Sequence, residues 1–306
     1  MKGRRGFVLV AVLFALVVLT ALASGGFFEA LQEMRIGRNA SLDLVLQSAA
    51  ESGIAAALAT WDPRATGALG LGAVLMLPGS APAGITGGLE ARRLNDRLLL
   101  LRSIASDEHG TMRTVELIAR LKGPELTPSA VRARSVDAVT LARADGSDRN
   151  PASWSCLSVS GAAPGVVLDP GASDASFFRF GSMDWAALVA WAKAVPAGGD
   201  SLQVVYQAGD TTLAGGHWIG TLVVDGDLVL RSGVDVSGLL IVRGALRIDA
   251  GGATVLGSVV ASEVIVNQSV APQQVALGYS SCSAARAALS RAMPAPLSGV
   301  PVWGVY

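Results

Sequence analysis

Apolar and polar positions fall into three regimes along this chain. Residues 7–23 carry no charge and no strongly polar group beyond the hydroxyl of Thr20, and the apolar run continues to Phe28. As a helix rising ~1.5 Å per residue, this run covers ~30 Å, the thickness of a bilayer's hydrocarbon core. Residues 29–59 hold no proline and only two glycines, Gly37 and Gly53, and are rich in the helix formers Ala, Leu, Gln and Glu. Leu31, Met34, Leu42, Val45, Ala49, Ile54 and Leu58 keep a mostly helical spacing. The pattern predicts one long helix, with Gly25-Gly26 as its place to flex. It stops at Trp61-Asp62-Pro63, because proline disfavours helix in the residue before it.

The second regime has a strand period. Residues 89–94 and 97–104 read as strands, Asp107-Glu108-His109-Gly110 as a turn and 112–121 as the return, which predicts a hairpin over 88–122. His109 follows two acids within what reads as an exposed turn, so it is read as a turn residue rather than a ligand. A polar loop at 145–151 leads to Trp154 and Cys156. Residues 183–195 predict a short amphipathic helix with Trp185, Leu188, Val189 and Ala192 inward, ended by Pro196.

The third regime repeats. A glycine followed by four apolar-rich residues, an acid or Arg, a second Gly, one further residue and Leu starts at Gly220, recurs at Gly238 and returns more loosely at Gly257, spaced 18 and 19 residues apart. Each unit is a short β-branched strand, a glycine corner and a second strand. Units of this length cannot bury an apolar face alone and stack on neighbours, which predicts a β-solenoid, with an antiparallel meander as the alternative. The domain reading is a basic leader at 1–6, a helix at 7–60, a mixed body at 61–212, solenoid repeats at 213–270, and a C-terminal helix and tail at 271–306. The fold class is α+β.

Composition and charge narrow the chemistry. The chain is 51% hydrophobic and 16% charged, with 24 basic and 24 acidic residues. Loss of Lys2, Arg4 and Arg5 would tip the balance acidic, so nucleic acid is not the expected partner. No G-x-S-x-G, P-loop or H-E-x-x-H occurs, and His109 and His217 are the only histidines. Asp225, Asp227, Asp235 and Asp249 decorate the repeat without the spacing of a calcium loop and read as turn residues. No enzyme activity, metal, cofactor or small-molecule substrate is expected.

The N-terminus has three readings. Lys2, Arg4 and Arg5 precede the apolar run and place the leader on the cytoplasmic side. Ala21-Leu22-Ala23 offers a signal-peptidase pattern, a plain anchor needs only the apolar run, and Gly6-Phe7 has the form of a prepilin cleavage site. Continuity of the helix to Trp61 favours the third reading. Arg5-Gly6-Phe7-Val8-Leu9-Val10, then Arg35-Ile36-Gly37-Arg38-Asn39, then Gln47-Ser48-Ala49-Ala50-Glu51-Ser52-Gly53 resemble the N-terminal region of PilX-type minor pilins.

That resemblance covers roughly residues 4–60. It implies processing between Gly6 and Phe7 by a prepilin peptidase, and an assembly helix including Phe7, Leu9, Ala11, Leu13, Leu16 and Leu19. Major pilins carry Glu at the place held here by Ala11, so the resemblance points to a minor, tip-located subunit. Its expected partners are the inner membrane and other pilin or pseudopilin subunits, with the body outside the cytoplasm in the cell envelope. The alternative is a membrane-anchored or secreted envelope solenoid that serves as a scaffold or adhesion module outside any pilus. In either extracytoplasmic setting Cys156 and Cys282 fit a disulfide, the other reading being two buried thiols.

Overall fold

The computed structural model describes residues 5–62, 69–79, 82–95, 97–149, 151, 162–193, 202–249, 251–267 and 276–297. Helix α1 (Arg5–Ala59) is one unbroken run of 55 residues, with no break at Gly25-Gly26. At ~1.5 Å per residue it is ~80 Å long, far more than the body needs. Only its last third packs. Leu46, Ala49, Ala50, Ile54 and Ala57 recur at helical spacing on one face and are buried, and Trp61 closes the end of that core.

Their partner is an antiparallel sheet of β1 (Val74–Leu77), β2 (Thr86–Arg93), β3 (Leu98–Ser106), β4 (Met112–Lys122) and β15 (Met293–Pro296), in that order. The predicted hairpin is thus a meander, β2–β3–β4, within a larger sheet. Side chains alternate across it. Leu89, Ala91, Leu99, Leu101, Val115, Leu117, Ala119 and Leu121 turn to the helix, while Glu90, Arg102 and Glu116 form a charged row on the far face. Gly53 lets helix and sheet close up: a β-carbon there would sit 2.7 Å from the Ser103 hydroxyl. Asp43 pairs with Arg113 at the edge of this contact.

The repeat folds as a parallel stack, so the antiparallel alternative is excluded. Strands β10 (Gly216–Asp225), β12 (Val234–Ile248) and β13 (Thr254–Val266) lie in register, with Gly220 beside Gly238 and Gly238 beside Gly257. β11 (Leu228–Leu230) continues the β10 coil. The stack extends outside 213–270. A first coil of β8 (Gln203–Ala208) and β9 (Thr211–Leu213) pairs with β10 and β11.

At the opposite end the coils are assembled from distant segments. β14 (Leu277–Tyr279) and β5 (Val131–Val136) both pair with β13, and β6 (Ala144–Asp145) and β7 (Val166–Leu168) extend them. Short helix α2 (Ala138–Arg143) packs on β13 there, where the Thr140 hydroxyl donates to the Val264 carbonyl at 3.1 Å. The chain therefore lays down β5, β6 and β7 of the far end before the first coil, and returns to that end with β14. Repeat periodicity does not reveal this, since these segments lack the glycine-led pattern.

Two helices, α3 (Asp174–Phe177) and α4 (Trp185–Lys193), follow the last coil in sequence and cover the outside of the stack. This explains why the repeat is apolar at consecutive positions. Leu222, Leu240 and Val259 face the interior, whereas Val223, Leu239, Ile241 and Val260 face Phe177, Phe178, Phe180 and Leu188. In α4, Leu188 and Ala192 are buried as predicted, Trp185 and Val189 only half so. Pro196 lies outside the described residues.

The C-terminal region holds the helix and adds a strand after it. α5 (Ser281–Leu289) lies on the stack through Ala287 and Ala288 and on the sheet core through Leu289. It is followed by the edge strand β15, whose Pro294 and Pro296 prevent helix continuation. This clasp joins the helix-and-sheet unit to the solenoid. Cys282, at the start of α5, is disulfide-bonded. Cys156 and Trp154 lie outside the described residues.

Candidate functional site

The largest surface that the fold leaves unexplained is the first half of α1. Side chains of residues 9–30 are all exposed. Leu9 is 70% exposed, Leu13 60%, Leu16 58% and Leu19 65%, so these positions bury nothing within the chain. Helix α1 is long and apolar enough to cross a membrane, with mean hydropathy 2.4 in its most apolar window. Inside it, the polar groups of Thr20 and Ser24 are satisfied locally: Thr20 donates to the Leu16 and Val17 carbonyls, and Ser24 to the Ala21 carbonyl. Such back-bonding is how a hydroxyl is tolerated in hydrocarbon. Ala11 lies within the helix and is exposed; Gly6 and Phe7 lie in its first turns.

Charges begin where the apolar run ends, at Glu29 and Glu33, then Arg35 and Arg38. All four are exposed. The helix therefore has an apolar arm, a polar neck and a packed root. Among the described residues no element of the body covers the arm.

Elsewhere the polar clusters are structural. His109 sits in the exposed turn, where the Asp107 carboxylate accepts the amides of His109 and Thr111. His217 Nδ1 lies 2.9 Å from Asp235, and the Thr254 hydroxyl donates to the same carboxylate at 2.7 Å, a ladder across three stacked coils. Asp227 Oδ1 accepts the Ala245 amide at 2.8 Å and the Asp227 amide donates to Asp210 at 2.8 Å. Asp227 is thus a corner brace. Among the described residues no group of three or more His, Cys, Asp or Glu is placed to hold a metal ion.

One cluster was not foreseen. Arg243 donates to Asp174 and Asp225, Arg134 donates to Asp174 at 2.7 Å, and the Tyr206 hydroxyl donates to Asp225 at 3.2 Å. Arg134 stands over the rings of Phe177 and Phe178, and Arg243 over Trp185. The Arg134 hydrogen bond, and then that of Arg243, hold the Asp174 carboxyl below the usual range. Its two carboxylates hold Arg243 above the usual guanidinium value. Burial and the nearby Asp225 push the Tyr206 phenol up. The network pins α3 and α4 to the stack and floors a shallow groove of about 420 Å³ between Trp185, Val189, Lys193, Asp225 and Arg243. Its charged members are scattered over more than a hundred residues with no local pattern, so the sequence singles out Asp225 as a turn residue and Trp185 as a helix-face residue but not their meeting.

No protein family, curated protein or solved structure matches this chain.

Proposed function

We propose that this protein is a minor-pilin-like subunit, inserted in the inner membrane through α1, trimmed between Gly6 and Phe7, and assembled in or at the tip of a type IV pilus or related secretion machine. One observation carries the reading. A single continuous helix has an uncovered apolar first half and a last third packed on an antiparallel sheet. A secretory signal has no use for such continuity, whereas a filament subunit uses the same helix first as membrane anchor and then as filament core. The residues that resemble PilX-type minor pilins lie on that helix.

In this reading the apolar arm would stand among lipid chains before assembly and among the helices of other subunits afterwards. Ala11 leaves the arm without a carboxylate for a neighbour's amine, which suits a subunit with none above it. The body performs no chemistry and supplies surface for adhesion or for other minor subunits.

The test is the mature N-terminus. Coexpression with a prepilin peptidase should give a chain beginning at Phe7 by mass spectrometry, and Gly6→Leu should abolish the shift. A chain beginning at Ser24, or an uncut chain, would return the protein to the envelope scaffold or adhesion reading.

A further inference from the structure

Stacked coils place like residues over like, so a solenoid's end is where its columns change. Inside this one, Leu222, Leu240 and Val259 form one column, and Val224, Val242 and Ala261 another. Leu228, Leu246 and Val264 form a third. All are buried.

The first coil breaks two of these columns. Gln207 pairs with Val224, and Thr211 pairs with Leu228. Gln207 is exposed and Thr211 half-buried. A further column, Ala144, Leu277, Val255 and Val236, ends on the indole of Trp218, by far its widest side chain.

The corner changes as well. Gly220, Gly238 and Gly257 have φ of +129°, +146° and +151°. A β-carbon on Gly220 would meet the Gln203 carbonyl oxygen at 1.9 Å, and the other two meet the preceding coil as closely. Register puts Gln203 next in this series, and it has a side chain and no positive φ. Among the described residues no strand pairs with the outer edge of β8.

We infer that β8–β9 is a terminating coil, built so that neither a second copy of this chain nor an added strand continues the stack. An incoming coil would have to bury the Gln207 amide and the Thr211 hydroxyl against its own apolar columns, with no partner for either. Terminal repeats of stacked proteins need such a polar end to stay unassociated, and exposed edges are guarded against pairing. The solenoid is then a single closed head. This stands apart from the reading of α1.

The experiment uses the full chain in detergent micelles, with mass measured by light scattering across a hundredfold range of concentration. The double variant Gln207→Val with Thr211→Leu should keep wild-type circular dichroism. Its apparent mass should at least double with concentration, while wild type and Gln207→Asp hold the same mass and melting temperature. A folded double variant that keeps the wild-type mass overturns the inference. So does Gln207→Asp if it lowers the melting temperature as Val242→Asp does, since the position would then be covered. If the double variant does not fold, the Gln207→Asp melt alone decides.

Discussion

Gly238 lies in register with Gly220, and a β-carbon placed on it would stand 1.9 Å from the Gly220 carbonyl oxygen. Its φ of +146° is also a conformation that L side chains rarely adopt. Both effects act at once and neither relaxes cheaply, because the obstacle is backbone of a coil buried on both sides. Gly238→Ala should therefore destabilise by about 3 kcal/mol or more. Gly110 is the comparison. It too has positive φ, +83°, but nothing lies within 4 Å of its β-carbon position. Gly110→Ala should cost about 1–2 kcal/mol, the left-handed penalty alone. Equal losses in thermal melts would show that conformation, not close stacking, fixes the corner glycine.

Asp227 tests whether the acids of the repeat bind metal or brace corners. Its carboxylate accepts the Ala245 amide of the next coil. Asp227→Ala should cost about 1–2 kcal/mol, since it leaves that amide without its acceptor. Asp227→Asn keeps an acceptor oxygen and should cost less. Addition of calcium or of a chelator should leave the melting temperature unchanged. A rise with calcium that Asp227→Asn removes would contradict the brace.

The helix, the meander and the repeat were legible in the sequence because each rests on local periodicity. Ala49 and Ile54 announce a helix face, although Val45, read onto the same face, is exposed and Leu46 takes its place; alternation around Leu99 and Leu101 announces a strand, and the glycines at 220, 238 and 257 announce stacking. The clasp was not legible. Residues 293–296 become a strand only because β4 offers an edge, and nothing nearby records that edge. The coils of β5, β6, β7 and β14 were hidden for a related reason: their neighbours in space are more than a hundred residues away for β5 and β6. The apolar arm of α1 was visible as apolar. Among the described residues nothing packs on it, so its exposure is a finding of the structure and not of the pattern.

Leu46 and Leu44 separate the two duties of α1. Leu46 is fully buried against the sheet, whereas Leu44, two residues earlier, is 67% exposed. Leu46→Ala should cost about 2–5 kcal/mol of body stability. Leu44→Ala should stay within about 0.5 kcal/mol. If the outer face of the root meets other subunits, Leu44→Ala will instead lower filament incorporation at unchanged melting temperature. A large stability loss at Leu44 would mean that the body covers this face.

The Asp174 network gives a pH dependence whose sign can be worked out. The hydrogen bond from Arg134, reinforced by Arg243, lowers the Asp174 pKa in the folded protein below its ordinary 3.8. The native state therefore holds its proton less tightly than the unfolded chain. The resulting stability is fully present above the ordinary value, shrinks as pH falls through it, and is gone below the folded pKa. Asp145 adds to the same acid slope, mainly through the Ser147 amide. The Asp174 side chain is 51% exposed, which keeps its share small. Asp174→Asn should lower stability by up to about 1 kcal/mol at pH 7. That gap should narrow below about pH 4, where the wild-type carboxylate is itself being protonated. Thermal melts of both proteins from pH 7 to pH 3 measure it. A gap that stays constant over that range would mean that Asp174 holds α3 by packing, not by charge.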